Sequence, residues 1–101
     1  MTSPLTIRVS TGEGRPVVTL AGEIDPWTGE EFQAGLEAAI SENEQVTVDL
    51  RDVVFMDSTG LAVLFRHHES VLSVIARPGS VTARALSRSG LGLVIAVDLA
   101  D

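Results

Sequence analysis

The chain reads as an α/β domain: a mixed sheet of about five strands, an N-terminal hairpin followed by parallel strands, with helices packed mainly on one face. Three observations predict this. Short segments with apolar residues at period two alternate along the chain with segments at helical period. The strand–helix–strand order calls for crossover connections between parallel neighbours. Finally, Asp49 stands inside an otherwise apolar strand, where a sheet covered on both faces would keep a continuous apolar run.

Each element has a local reason. Residues 5–10 (LTIRVS) alternate, Gly12-Glu13-Gly14 turn the chain, and 16–21 (PVVTLA) run back, which is a hairpin pattern. Asp25 before Pro26 marks a helix start, since Pro tolerates the first helical position and Asp accepts a free backbone N–H. Thr28 with Glu31 offers a competing capping box. Phe32, Leu36, Ala39 and Ile40 share one stripe, giving an amphipathic helix over 26–41. Residues 45–50 (QVTVDL) make the next strand, with Val46, Val48 and Leu50 on one face and Thr47 and Asp49 on the other. A second helix from about Ser58 to His68 buries Leu61, Leu64 and Phe65. A strand over 71–76, a short helix from Ser80 to Arg88 and a strand over 93–98 complete the order. Gly90 supplies the left-handed cap of that short helix, and Arg88 suits its final turn.

Composition narrows the function classes. The 101 residues make one domain, 1–101, with 45% hydrophobic and 21% charged residues, which is the globular norm. Seven Lys+Arg against 14 Asp+Glu leave a formal charge of −7. That balance opposes binding to nucleic acid or to an anionic membrane, both of which need clustered cations, and it suits a basic protein partner. The absence of cysteine excludes disulfides, thiolate metal sites and a thiol nucleophile. No apolar run reaches about 18 residues, so no membrane insertion is expected, and the N-terminal residues lack the apolar segment of a signal peptide. The expected compartment is the cytoplasm. No metal or cofactor is expected.

Topology gives this order a functional edge. The strands at 16–21 and 45–50, linked through one crossover helix, run parallel, so their C-terminal ends share a rim of the sheet. The loops 22-GEID-25 and 55-FMDSTG-60 follow those strands and lead into two helix N-termini. Ligands and partners of open α/β sheets bind at such a rim, and helix N-termini there favour anions.

These two signatures, GEID before the first helix and FMDSTGL at the start of the second, resemble STAS domains, and most closely the bacterial anti-sigma-factor antagonists. The match in element order spans about residues 5–99. DSTG with its apolar approach and Leu61 is the specific part; GEID alone is weak. The resemblance implies that Ser58 is phosphorylated by an anti-sigma factor that doubles as a serine kinase. It also implies that the unphosphorylated protein binds that factor and frees a sigma factor, and that a metal-dependent Ser/Thr phosphatase restores the hydroxyl. The partner-facing residues it implies are Gly22, Glu23, Ile24, Asp25, Asp57, Ser58, Thr59, Gly60 and Leu61. The segment 66-RHHESVLSV-74 departs from the family, whose members commonly have a longer helix there closed by a Gly-rich turn, and the departure bears on which anti-sigma factor is recognised.

Simpler readings stand beside these. Ser58 is also a plain N-cap, and Thr59 is an alternative acceptor. Asp57 either positions the Ser58 hydroxyl or adds a second cap. Asp25 is a cap first and a contact second, Glu23 a solvated charge, and Gly22 a residue that permits a turn. Gly60 keeps the first helical turn uncluttered for the approach of another backbone. Trp27 reads as a lid on the core rather than a binding anchor. His67-His68-Glu69 suits a helix C-terminus better than a metal, because adjacent helical residues point about 100° apart. Arg77, Arg84 and Arg88 read as surface residues.

Two other classes compete. One is a STAS subunit of a membrane-lipid ABC transport complex, a phosphorylation-independent module whose members often carry Thr or Ala in place of the serine. The other is an enzyme, but the sequence offers no nucleophile–His pair near Ser58, no metal cluster, no glycine-rich phosphate loop and no acidic cluster upstream of Asp57.

Overall fold

The computed structural model describes residues 4–11 and 14–101. Strands β1 (Leu5–Ser10) and β2 (Val17–Ile24) pair antiparallel, Leu5 opposite Gly22 and Ser10 opposite Val17. Gly12 and Glu13 of the connecting turn lie outside the described residues. Strands β3 (Val46–Met56), β4 (Val71–Ala76) and β5 (Ala96–Leu99) follow in spatial order, each parallel to its predecessor. Helices α1 (Gly29–Glu42), α2 (Ser58–Arg66) and α3 (Val81–Ser89) make the crossovers, and one-turn 3₁₀ helices at His68–Ser70 and Leu91–Leu93 lead into β4 and β5.

One hydrophobic core takes side chains from all three helices and from alternate strand positions. Phe32, Leu36, Leu64 and Leu86 come from the helices; Val18, Leu20, Val48, Leu50 and Val74 come from the sheet, and all are at most 1% exposed. A Leu→Ala change at such a site costs about 2–5 kcal/mol. The intervening strand positions carry Thr19, Thr47, Asp49 and Ser73, so the sheet has one apolar and one polar face, as its alternation predicts. On the polar face the Arg51 guanidinium meets the Asp49 carboxylate at 2.8 Å. Burial pushes the Asp49 carboxyl up, but hydrogen bonds from the Arg51 side chain and backbone outweigh it. With the Arg51 and Arg77 charges, they hold the group below the ordinary carboxylate range.

Several boundaries differ from the sequence pattern. β2 continues to Ile24 and β3 to Met56, so Gly22-Glu23-Ile24 and Phe55-Met56 are strand rather than loop. Register shifts between Thr19 and Ala21 and between Gly22 and Glu23 break the period-two signal while the pairing itself continues. α1 begins at Gly29, not Pro26, and α2 ends at Arg66, where a 3₁₀ turn replaces the expected last residues. In α2 the core residues are Gly60, Val63 and Leu64; Leu61 is half-buried and Phe65 exposed. β5 starts at Ala96 because Gly90-Leu91-Gly92-Leu93 curl into a 3₁₀ turn, leaving Leu93 almost wholly exposed.

Candidate functional site

The extended β2 and β3 deliver the two signatures side by side. Glu23 lies opposite Phe55 and Ile24 opposite Met56, and Asp57 N–H donates to the Ile24 carbonyl at 3.2 Å. Asp25 and Ser58 each follow that bonded pair by one residue, so the starts of α1 and α2 share one rim. Gly22 makes the first of these strands possible. Its φ is +114°, and a Cβ there would collide with the Pro4 carbonyl, the acceptor for Glu23 N–H at 2.9 Å.

The approach to α1 is a locked turn. Asp25 Oδ1 accepts from the N–H groups of Trp27 and Thr28 at 2.9 and 3.0 Å. Thr28 Oγ1 donates to the Glu23 carbonyl at 2.9 Å and accepts from Asp25 N–H at 3.0 Å. Thr28 is N-cap by position, but its side chain serves this turn and makes no cap bond to the helix. With Thr28 taking the inward place, Trp27 is turned out and is 89% exposed. It is not a lid on the core.

The start of α2 is built differently. Asp57, not Ser58, is the N-cap, and its Oδ1 accepts from Thr59 N–H at 2.8 Å. Of the two roles open to Asp57, the structure shows the cap. Ser58 is the first helical residue, exposed, and its hydroxyl has no hydrogen-bond partner among the described residues. The Thr59 methyl is packed where a Cβ on Gly29 would lie, so Thr59 is spent on joining the two helices. Gly60 is buried, and a Cβ there would come within 2.7 Å of Met56 Sδ and 3.0 Å of Ile24 Cγ2. Its missing side chain therefore serves internal packing rather than the approach of another backbone. Ile24 is likewise fully buried. Gly60 and Ile24 shape the rim; Glu23, Asp25, Ser58 and in part Asp57 and Thr59 present it.

Sequence reasoning missed an apolar component. Val54 is 71% and Phe55 43% exposed at the end of β3, beside Glu23, and Trp27 adds the only indole. The apolar run Val53-Val54-Phe55-Met56 directly before Asp57 was the available signal. The rim thus combines three carboxylates (Glu23, Asp25, Asp57), exposed aromatic and aliphatic surface, and two hydroxyls without a hydrogen-bond partner among the described residues, the exposed one of Ser58 and the half-buried one of Thr59. The histidines diverge: His67 Nε2 lies 2.8 Å from Gln33 Nε2, whereas His68 Nδ1 lies 2.9 Å from the Phe65 carbonyl.

A family model described as "Mlab, STAS domain" matches residues 7–98. The chain belongs to the STAS-domain family. Curated relatives of this STAS domain include the anti-sigma-F factor antagonist RsfB of Mycobacterium tuberculosis, 31% identical over 93 residues that cover 86% of this chain and 75% of that protein. The crystal structure of an anti-sigma factor antagonist from Mycobacterium paratuberculosis superposes with a TM-score of 0.86 at 26% identity, covering 97% of this chain and 90% of that one. The structure of the anti-sigma factor antagonist SpoIIAA in its unphosphorylated form shares the fold, with a TM-score of 0.69 at 22% identity over 91% of this chain and 87% of that one. No helix among the described residues is long and apolar enough to cross a membrane.

Proposed function

We propose that this STAS domain is an anti-sigma-factor antagonist whose rim docks, unphosphorylated, on an anti-sigma factor with serine-kinase activity and thereby releases a sigma factor. Phosphorylation of Ser58 switches it off, and a metal-dependent Ser/Thr phosphatase switches it back on. The observation that carries this reading is the Ser58 hydroxyl: exposed, without a hydrogen-bond partner among the described residues, at the first position of α2 and on the rim shared with the start of α1. The naming of its relatives as anti-sigma factor antagonists supports the same assignment. Thr59, whose methyl is packed against Gly29, is the poorer acceptor.

The protein is the substrate of this transfer and not its agent, and it works in the cytoplasm. The kinase supplies ATP and the base, and Ser58 supplies an oxygen that can reach them without local unfolding. A phosphoryl group adds a charge of about −1.5 to −2 at neutral pH. At a helix N-terminus that charge is tolerated or mildly favourable, so the fold persists. In a docked interface it must lose hydration beside Asp57 and Asp25, and a penalty of about 3 kcal/mol already weakens binding about 150-fold.

The test is intact-mass spectrometry with site mapping after incubation with ATP and the kinase-like anti-sigma factor encoded nearest to this protein, with Ser58→Ala in parallel. The expected result is one phosphoryl group on Ser58, absent from the variant. Intact binding with no transfer to any candidate kinase would overturn the switch. That outcome would favour the phosphorylation-independent module of a membrane-lipid ABC transport complex.

A further inference from the structure

The docking surface continues below Ser58. α1 and α2 lie side by side with their N-termini together: Gly29 abuts Thr59, and Gln33 joins both Arg66, at 2.7 Å, and His67. Their outward faces leave a groove of about 390 Å³. α1 lines it with Glu30, Ala34 and Glu37 at i, i+4 and i+7, and α2 with Thr59, Ala62 and Arg66 at i, i+3 and i+7. Such spacings put each set on one helical stripe. The small side chains of Ala34 and Ala62 leave a valley between two helical ridges, the relief into which a third helix packs. The charge of this valley is net negative, two carboxylates against one guanidinium. Among the described residues Glu30 and Glu37 have no ion-pair partner, and the one cation, Arg66, is hydrogen-bonded to Gln33 Oε1. Thr59 belongs both to the valley and to the turn that carries Ser58, so the groove and the rim are continuous.

We propose that the α1/α2 groove seats an amphipathic helix of the anti-sigma factor, with its small apolar side against Ala34 and Ala62 and Lys or Arg residues two turns apart against Glu30 and Glu37. This rests on the proposed function and adds to it a second grip that is set by shape and charge and lies outside the phosphorylated turn. Partner choice resides in the groove, and on/off control at Ser58.

Binding kinetics of the full chain to the nearest-encoded kinase-like anti-sigma factor, measured across a series of salt concentrations, test this. Ala62→Trp fills the valley, and the double variant Glu30→Lys/Glu37→Lys reverses its charge. All three positions are exposed, so circular dichroism should be unchanged, and the melting temperature should fall only slightly, through the loss of Glu30 from the first turn of α1. Ala62→Trp should raise the dissociation rate about tenfold or more. The charge reversal should lower the association rate about tenfold and flatten its dependence on salt. Wild-type kinetics in both variants, with wild-type protein binding, would overturn the groove and leave the Ser58 rim standing. A wild-type protein that does not bind the anti-sigma factor overturns the proposed function and the groove with it. A homodimer that the variants dissolve would make the occupant a second copy and overturn the proposal.

Discussion

The two helix starts on the rim solve the same problem in opposite ways. Before α1, Asp25 and Thr28 use their side chains on four short backbone hydrogen bonds, and Thr28 is buried. Before α2, one carboxylate caps one N–H, and the next residue keeps a free hydroxyl. A switch needs both: a frame that holds still beside a group that nothing inside the protein competes for. Of the three hydroxyl residues at these starts, Thr28 is buried and bonded and Thr59 is half-buried, which leaves Ser58 as the exposed one and is the contrast on which the proposed switch rests.

Four measurements break or sharpen that contrast. Phosphorylation of Ser58 should lower affinity for the anti-sigma factor about 150-fold by calorimetric titration, with circular dichroism unchanged; equal affinity would remove the switch from the α2 start. Thr28→Val keeps the shape but strands the Glu23 carbonyl and Asp25 N–H, and urea denaturation should show a loss of about 2 kcal/mol. Unaltered stability would mean that the α1 turn is not locked. Trp27→Ala should leave the melting temperature in place, because the ring is exposed, yet weaken partner binding about tenfold or more. A fallen melting temperature would return the indole to the core. Smallest is Asp49→Asn, on the polar face away from both starts. The Asp49 carboxyl is held below its ordinary value of about 3.8 when folded and regains that value when unfolded. Its stabilisation is therefore present above that unfolded value and fades as pH falls through the folded one. The variant should be less stable than wild type at neutral pH by under about 1 kcal/mol, with the gap closing on acidification and partner binding unaffected.

Much of the fold could be read from the chain because its signals are local. Ser80 caps α3 through Ala83 N–H and Gly90 closes it at φ +78°, both visible as residue types at the right spacing, and the strand expected at 71–76 is β4. What could not be read depends on neighbours distant in sequence. β2 and β3 run past their apparent ends because they pair with each other through register shifts that period-two counting treats as stops. Asp57 and Ser58 are rival caps one residue apart, and the choice falls to Asp57 because its N–H is tied to Ile24 across the sheet. The outward turn of Trp27 follows from where Thr28 goes, and the packing role of Gly60 from Met56 and Ile24, none of which a helical stripe encodes.

The length of β3 has one more consequence. β4 pairs with it only from Val46 to Asp49, so among the described residues the outer border of residues 50–56 has no strand beside it. A bare border of this kind, carrying the exposed Val54 and Phe55, is a template for another chain to add to. Side chains stand in for the missing strand: Arg77 Nε donates to the Arg51 carbonyl at 2.8 Å and pairs with Asp52 at 3.1 Å, while Thr82 Oγ1 reaches the Val53 carbonyl at 3.4 Å. Arg77 and the first turn of α3 therefore act as a guard on the sheet. Lifting them should expose that edge to another chain, so the residues that cover the sheet border sit next to the rim proposed to bind the partner.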